Sequence, residues 1–178
     1  MDGTAEARGH YLSVWKETSE GHRVVLDIGT PYPDQGPLPD PASLTATADS
    51  GALTVIPEAV SEDADATRSL LERDEALNAA GAASPLAGAL AGFAASGIQL
   101  NLTGETPTVG GTALAALEGF GAMASTTTGG EASRSGTLGY TYGTVSGDAF
   151  QGHHVRIWRR EVGGEWEVEV LVLNLGPA

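Results

Sequence analysis

Hydrophobic and polar residues alternate with a period of two near both ends of the chain, and recur every three to four residues in its middle part. A period of two is typical of a strand with one buried face, and a spacing of three to four is typical of an amphipathic helix. The pattern predicts three helices followed mainly by strands. The helices are predicted over 61–81, 84–97 and 111–123, and the strands over 98–102, 125–136, 137–147, 152–162 and 165–175.

Prolines divide the chain into three parts. Positions 31, 33, 37, 39 and 41 are proline, which lacks a backbone donor and interrupts both helices and central strands. We therefore expect residues 30–57 to be an extended linker. It separates a short N-terminal hairpin, residues 1–29, from an α+β domain, residues 58–178.

The last two strands are predicted to form a hairpin that turns at Gly163-Gly164, a two-residue pair typical of tight turns. This turn predicts three cross-strand pairs: Arg160 with Glu167, Trp158 with Glu169, and Arg156 with Leu171.

The two faces of that hairpin differ in polarity. The face of Trp158 and Arg156 is mixed, and we expect it to be a partner surface. The other face is mostly apolar, and we expect it to meet the helices; it comprises His153, Val155, Ile157, Arg159, Trp166, Val168, Val170 and Val172.

The start of the chain resembles its end. The segment GHYLSVWK, residues 9–16, aligns with GHHVRIWR, residues 152–159, and both contain Gly, His and Trp at the same places. In the return strands, Val24, Leu26 and Ile28 take the places of Val168, Val170 and Val172. A duplicated hairpin is the better explanation.

An isolated hairpin is marginal in water. Residues 9–28 are therefore expected either to add to a sheet edge, in this chain or in a neighbouring copy, or to be the last hairpin of a preceding domain. We favour the preceding domain.

Composition narrows the function classes. The net charge of −14 and the pI near 4.4 disfavour binding to phosphate backbones and to anionic lipid. The chain has no cysteine, no apolar run long enough for a membrane span and, as written, no secretory signal. We expect a cytoplasmic protein as written, or a periplasmic or secreted one if an upstream signal segment is missing.

The C-terminal strands resemble those of a known family. The segments LGYTYG (138–143), VRIWR (155–159) and GEW (164–166) are similar to the closing strands of the NTF2-like superfamily, in its DUF4440/SnoaL-like, ketosteroid-isomerase-like branch. The segments DADATRSLLERDEALNAAG and IQLNLTGETPTVGG resemble its first helix and the strand and loop before its third helix. The N-terminal hairpin looks like the end of a first domain, so the chain resembles the C-terminal part of a tandem member.

That resemblance implies an α+β cone, in which a curved antiparallel sheet wraps around the N-terminal helices and an apolar pocket, here with an extra N-terminal β-hairpin. It also implies dimerisation through the sheet and, in the enzymes, an acidic base in the pocket. The segment after the second helix usually supplies an acid, but here it carries Ser96 and Gly97.

Few residues qualify for chemistry. Asp74 is the one candidate base, with Tyr140 and Tyr142 as hydrogen-bond donors, although a solvated helix face and ordinary packing are the simpler interpretations. No metal site and no cofactor are expected, because the two histidines of GHH point to opposite faces of a strand. A small apolar ligand would contact Tyr140, Tyr142, His153, Asn101 and Trp166, and a homodimer would use Trp15 and Trp158.

Two functions follow. The first is a non-catalytic module that binds a small molecule or serves assembly. The alternative is an isomerase- or dehydratase-like enzyme for a small apolar carbonyl compound, using Asp74 with Tyr140 or Tyr142.

Overall fold

The structure is a computed structural model that describes residues 8–32 and 65–178. Residues 33–64, which include most of the predicted linker, lie outside the described residues. The helices are α1 (Ala66–Ala83), α2 (Leu86–Ala91) and α3 (Gly111–Ala115). The strands are β1 (Gly9–Thr18), β2 (Gly21–Pro31), β3 (Ala94–Leu102), β4 (Thr108–Val109), β5 (Ala124–Ala132), β6 (Leu138–Ser146), β7 (Phe150–Arg159) and β8 (Glu167–Pro177).

Strands β3 to β8 form one curved, unclosed sheet in the order β4-β3-β8-β7-β6-β5. All neighbours are antiparallel except β3 and β8, which run parallel. Helix α1 packs against one face of this sheet, chiefly over β5. The α+β class predicted from the sequence is confirmed, and we call the face under α1 the concave face.

Helix α1 corresponds to the helix predicted over 61–81, and it buries an apolar stripe. Ala66, Leu70 and Leu77 are buried, as the spacing predicts. The stripe also contains Asp74, which is buried between Leu70 and Leu77. A carboxylate therefore lies where the helix pattern asks for an apolar side chain.

Strand β6 lets α1 come close because its concave side carries small residues. A Cβ atom on Gly139 would lie 2.6 Å from Leu70 Cδ2, and one on Gly143 would lie 2.9 Å from His154 Cε1. Contacts this short require the absence of a side chain. The segment LGYTYG is thus shaped by the packing of its concave side.

The second and third helices are shorter than predicted. Helix α2 ends at Ala91 and β3 begins at Ala94, four residues before the predicted strand. Helix α3 ends at Ala115, although Leu117 and Met123 beyond it are buried in the core. Gly92 is the C-cap of α2 and explains its early end, since glycine disfavours continued helix.

The β7–β8 hairpin corrects two register predictions. Its connection spans residues 160–166 rather than two residues, with Gly163 at a φ of 75°. The pair Arg156–Leu171 is confirmed. Trp158 lies opposite Val168 rather than Glu169, and Glu167 lies opposite Arg159 rather than Arg160. A β-bulge between Ile157 and Trp158 causes the shift.

The predicted orientation of the hairpin faces is wrong for β7 and for β8 beyond the bulge, although Val168, opposite Trp158, lies on the concave face as predicted. His154, Arg156 and Trp158 lie buried on the concave face, whereas His153 and Arg159 are exposed on the opposite, outer face. The physical reason is that the polar groups of Arg156 and Trp158 form hydrogen bonds inside the domain. The apolar outer face is covered by a different element, the N-terminal hairpin.

Strands β1 and β2 form a separate two-stranded sheet. The expectation that residues 9–28 add to a sheet edge is therefore wrong within this chain, because the hairpin packs face to face on the larger sheet. Asn174 on the outer face donates a hydrogen bond of 2.7 Å to the Gly29 carbonyl. Thr30 is buried at this contact.

Candidate functional site

Asp74 lies at the centre of a buried polar network on the concave face. Its side chain is 0% exposed. Oδ1 accepts hydrogen bonds of 2.7 Å from Arg156 Nη1 and 2.7 Å from Thr141 Oγ1, and Oδ2 accepts one from Thr127 Oγ1. Four elements, α1, β5, β6 and β7, thus meet at one carboxylate.

Asn78 and Trp158 extend this network. Asn78, one helical turn after Asp74, accepts a bond of 2.8 Å from Arg156 Nη1 and donates one of 2.8 Å to Thr127 Oγ1. Trp158 Nε1 donates a bond of 2.9 Å to Thr141 Oγ1. The arrangement holds α1 on the sheet through charge-assisted hydrogen bonds.

The network makes Asp74 a weak base. Burial by itself would raise the pKa of Asp74, but the Arg156 charge and the hydrogen bonds from Thr127, Thr141 and Arg156 outweigh it, so the pKa lies below its usual value. A general base works best with a pKa near the working pH. An ion-paired carboxylate with a lowered pKa and no solvent contact is suited to holding structure.

His154 is the other buried titratable group of the concave face. Neither of its ring nitrogens forms a well-aligned hydrogen bond to any described residue. Burial first, and the neighbouring Arg156 charge second, lower the pKa of His154 to about 3, although Asp74 and the Thr144 backbone act in the opposite direction. The imidazole is therefore neutral in the folded protein at ordinary pH.

This histidine predicts a pH-dependent stability. Since its pKa is depressed on folding, the unfolded chain binds the proton first, and stability is lost as pH falls from about 6.5 toward 3. We expect the free energy of unfolding to drop by roughly 2 kcal/mol between pH 7 and pH 5, measured by urea denaturation. His154→Phe should remove this slope, whereas His153→Gln, at the exposed neighbour, should retain it. An unchanged slope in His154→Phe would contradict the assignment.

The outer face is the second candidate site. Val155 and Val172 are buried on it. Asn101 lies beside them, and its Oδ1 accepts a hydrogen bond of 2.9 Å from Gln99 Nε2. The hairpin lies against this region, with β2 on β8. A Gly104 N–H bond of 2.8 Å to the Pro31 carbonyl and a Lys16–Glu131 ion pair fix its two ends.

A cavity of about 1060 Å³ lies where the hairpin leaves the sheet. Its walls are the end of β1 on one side and parts of β5 and β6 on the other, with Ile157 from β7. Trp15 and Tyr140 provide aromatic surface, and Lys16 and Glu131 provide charge. The cavity is outside the cone, on the opposite side of the sheet from Asp74.

The structure does not bring the predicted site residues together. Tyr140 and Tyr142 lie on the outer face, because they alternate with the concave Thr141, and their ring centroids are 6.5 Å apart. The expectation that they share one pocket with Asp74 is therefore wrong in this structure. The structure therefore separates Asp74 from both tyrosines. A joint catalytic role for them needs a conformation other than this one.

The remaining predicted ligand contacts are also dispersed. His153 is exposed on the outer face, Asn101 is buried there, and Trp166 is buried near the start of α1, donating a bond of 3.1 Å to Ser69 Oγ. Only Tyr140 among the five lines the cavity described above. A small apolar ligand held by all five stays a prediction.

The two tryptophans of the predicted dimer surface differ. Trp15 is 61% exposed, but Trp158 is 0% exposed and bonded inside the domain. The expectation that Trp158 lies on an outer surface is wrong, because the bulge and the hydrogen bond to Thr141 direct its ring inward. Homodimerisation itself stays a prediction.

Two general findings concern the described part of the chain. Residues 8–32 and 65–178 contain no group of three histidine, aspartate or glutamate side chains placed to hold a metal ion. None of the helices between residues 65 and 178 combines the length and the apolar composition needed to cross a membrane.

Sequence reasoning missed the partners of Asp74. Arg156 is the key omission, and its signal is its position between His154 and Trp158 on one strand face, together with its predicted pairing to Leu171. Thr127 and Thr141 carry no sequence signal, since threonine is common in exposed strands. Asn78 follows Asp74 by four residues, the spacing that places two side chains on one helix face.

Comparison with solved structures supports the fold. The structure of a conserved protein from Planctomyces limnophilus DSM 3776 matches with a TM-score of 0.51 at 18% identity, over 62% of this chain and 96% of that one. In this chain, helix α1 packs on one face of a curved, unclosed sheet of six strands. The chain has the NTF2-like fold.

Two further structures resemble this NTF2-like domain more distantly. A ketosteroid isomerase-like protein from Erwinia carotovora atroseptica SCRI1043 has a TM-score of 0.45 at 15% identity, over 61% of this chain and 91% of that one. The epoxide hydrolase/cyclase-like enzyme SalBIII, of pyran ring formation in polyether salinomycin, has a TM-score of 0.42 at 9% identity, over 63% and 91%. Comparison with family models and with curated proteins gave no match.

Proposed function

We propose that this chain is a non-catalytic NTF2-like assembly module that acts through the outer face of its sheet. The observation that carries this proposal is the state of Asp74, which is sealed from solvent and ion-paired to Arg156 at 2.7 Å. It is the one buried carboxylate among the described residues. The other buried titratable side chain described on the concave face, His154, has a pKa lowered to about 3 and is therefore also a weak base.

The outer face supports the assembly part of the proposal. The hairpin that covers it resembles β7–β8 in sequence, and β2 lies against β8, its counterpart in that alignment. Contact between equivalent elements is the signature of an isologous interface, the kind that relates two subunits by a two-fold axis. The contact thus resembles a dimer interface formed within one chain.

The isomerase- or dehydratase-like alternative is weakened by the same geometry. It requires Asp74 to share a substrate with Tyr140 or Tyr142, and the sheet separates the carboxylate from both phenols. In addition, the lowered pKa of Asp74 makes it a weak base for removing a proton from the carbon next to a carbonyl.

Proton exchange at carbon tests the non-catalytic part directly. We would incubate the protein in D2O with a panel of small cyclic ketones and follow deuterium uptake next to the carbonyl by mass spectrometry. We expect the rate to equal that of buffer, with the wild type and with Asp74→Asn alike. Uptake that is catalysed by the wild type and lost in Asp74→Asn would refute the proposal, and Glu72→Gln, an exposed acid on the same helix, is the matched control.

A further inference from the structure

The N-terminal hairpin reproduces the irregularity of its C-terminal counterpart. In β7–β8 the register shifts between Ile157 and Trp158; in β1–β2 it shifts between Val14 and Trp15, the aligned positions. The pairs on either side also correspond: Leu12–Ile28 with Val155–Val172, Val14–Leu26 with Ile157–Val170, and Trp15–Val24 with Trp158–Val168. A bulge at the same place indicates that the two hairpins are the same structural unit.

Equivalent residues of the two hairpins have different surroundings on one face. Trp158 and His154 are 0% and 1% exposed beneath the concave face, but their counterparts Trp15 and Tyr11 are 61% and 75% exposed. The opposite face of the N-terminal hairpin, with Leu12, lies against the larger sheet. The face of the hairpin that corresponds to the outer face of β7–β8 is thus covered by the larger sheet. The face that corresponds to the concave face of β7–β8 is open to solvent.

Among the strands that the structure describes, the hairpin also has an unpaired edge. Strand β7 pairs with β6 on one side and β8 on the other, whereas β1 pairs only with β2 among the described strands. The cavity of about 1060 Å³ runs beside β1 at residues 14–19 and is walled by β5 and β6. An unpaired strand edge next to open volume is a place where another strand can add.

We propose that the free edge of β1 pairs with an antiparallel strand equivalent to β6, supplied by a domain of this same fold that precedes the hairpin in the same polypeptide. β1 and β2 are then the last two strands of that domain, and Trp15 packs under its first helix as Trp158 packs under α1. The inference rests on the proposed assembly through the outer face, because that contact becomes the interface between two domains in tandem.

A second copy of this chain does not meet the same requirement. Its β6 is already bonded on both edges, to β5 and to β7, so it has no free β6 to offer. Only a domain that lacks its own terminal hairpin has a β6-like strand with an open edge. The hairpin of residues 9–31 supplies what such a domain lacks.

Native mass spectrometry combined with amide hydrogen exchange tests this proposal on protein purified from its natural source. We expect a polypeptide heavier than 18.1 kDa. We also expect the β1 amides that do not bond β2 to exchange about 100-fold more slowly in it than in the 178-residue chain produced alone. In the longer protein, Trp15→Ala should lower the unfolding temperature as Trp158→Ala does, whereas Val162→Ala, in an exposed loop, should not.

Three results would overturn the proposal. The first is a natural polypeptide of 18.1 kDa in which the β1 amides exchange rapidly. The second is a polypeptide of the same mass that forms a dimer in which the β1 amides exchange slowly. The third is a longer polypeptide in which the free amides of β1 exchange as fast as in the 178-residue chain. The proposed assembly function fails on a different observation, namely that the hairpin does not slow hydrogen exchange of the β8 amides. The two failures are therefore distinguishable.

Discussion

Replacing Asp74 by alanine is expected to lower the free energy of unfolding by about 3–5 kcal/mol. The substitution leaves the Arg156 guanidinium, which is 2% exposed, without its counter-charge, and it removes the acceptor of Thr127 and Thr141. Breaking a buried ion pair costs this much because an uncompensated charge stays in the low-dielectric interior. Urea denaturation at pH 7 measures the change.

Two companion variants show that the cost comes from the unpaired charge. Glu72→Ala, on the solvent side of the same helix, removes an exposed pair with Arg68 and should cost less than about 1 kcal/mol. The double variant Asp74→Leu, Arg156→Met should recover much of the lost stability, since apolar residues of similar size replace a buried pair without desolvation. An Asp74→Ala cost below about 1 kcal/mol would mean that Arg156 reaches water.

The two tryptophans of the duplicated hairpins are expected to respond very differently to truncation. Trp158→Ala should cost about 3–5 kcal/mol, because it opens a cavity beneath α1 and removes the donor to Thr141 Oγ1. Trp15→Ala in the 178-residue chain should cost less than about 1 kcal/mol, because the indole is 61% exposed. Chemical denaturation of both variants under one set of conditions gives the comparison.

The comparison is informative because each residue controls for the other. Both tryptophans follow a bulge in a hairpin of the same register, so secondary-structure propensity and chain entropy are matched. Equal losses of stability would contradict the description of Trp15 as open to solvent in this chain.

Local patterns identified the elements that the core holds in place. The apolar stripe of α1 is confirmed because residues four apart on a helix share one face, and the core selects that face. The aligned return strands of the two hairpins are also confirmed, residue by residue from Val24 to Ile28. Periodicity and internal comparison are sufficient there because both depend on nearby residues.

The orientation of β7 and β8 could not be obtained in that way. Alternation identifies an apolar face, but here both faces of these strands are covered, one by α1 and one by the hairpin. The alternation therefore predicts that the apolar face with Val155 and Val172 meets the helices, whereas the hairpin covers it. Which cover lies on which face depends on contacts between residues far apart in sequence.

The buried network was only partly visible in the sequence. Asp74 could be selected as a candidate acid, and its place in the stripe between Leu70 and Leu77 was the available sign of burial. Its neutralisation by Arg156, 82 residues later, is a tertiary fact that decides between a catalytic base and a structural carboxylate.

Thiol accessibility at Val155 tests the central claim, that the outer face is a pairing surface covered by the hairpin. The chain has no cysteine, so one engineered thiol reports alone. Val155→Cys should react with a maleimide at least tenfold more slowly than His153→Cys, the exposed neighbour on the same face, and Leu12→Asp in the hairpin should abolish the difference. Equal rates for the two cysteines in the otherwise unchanged chain would contradict the account.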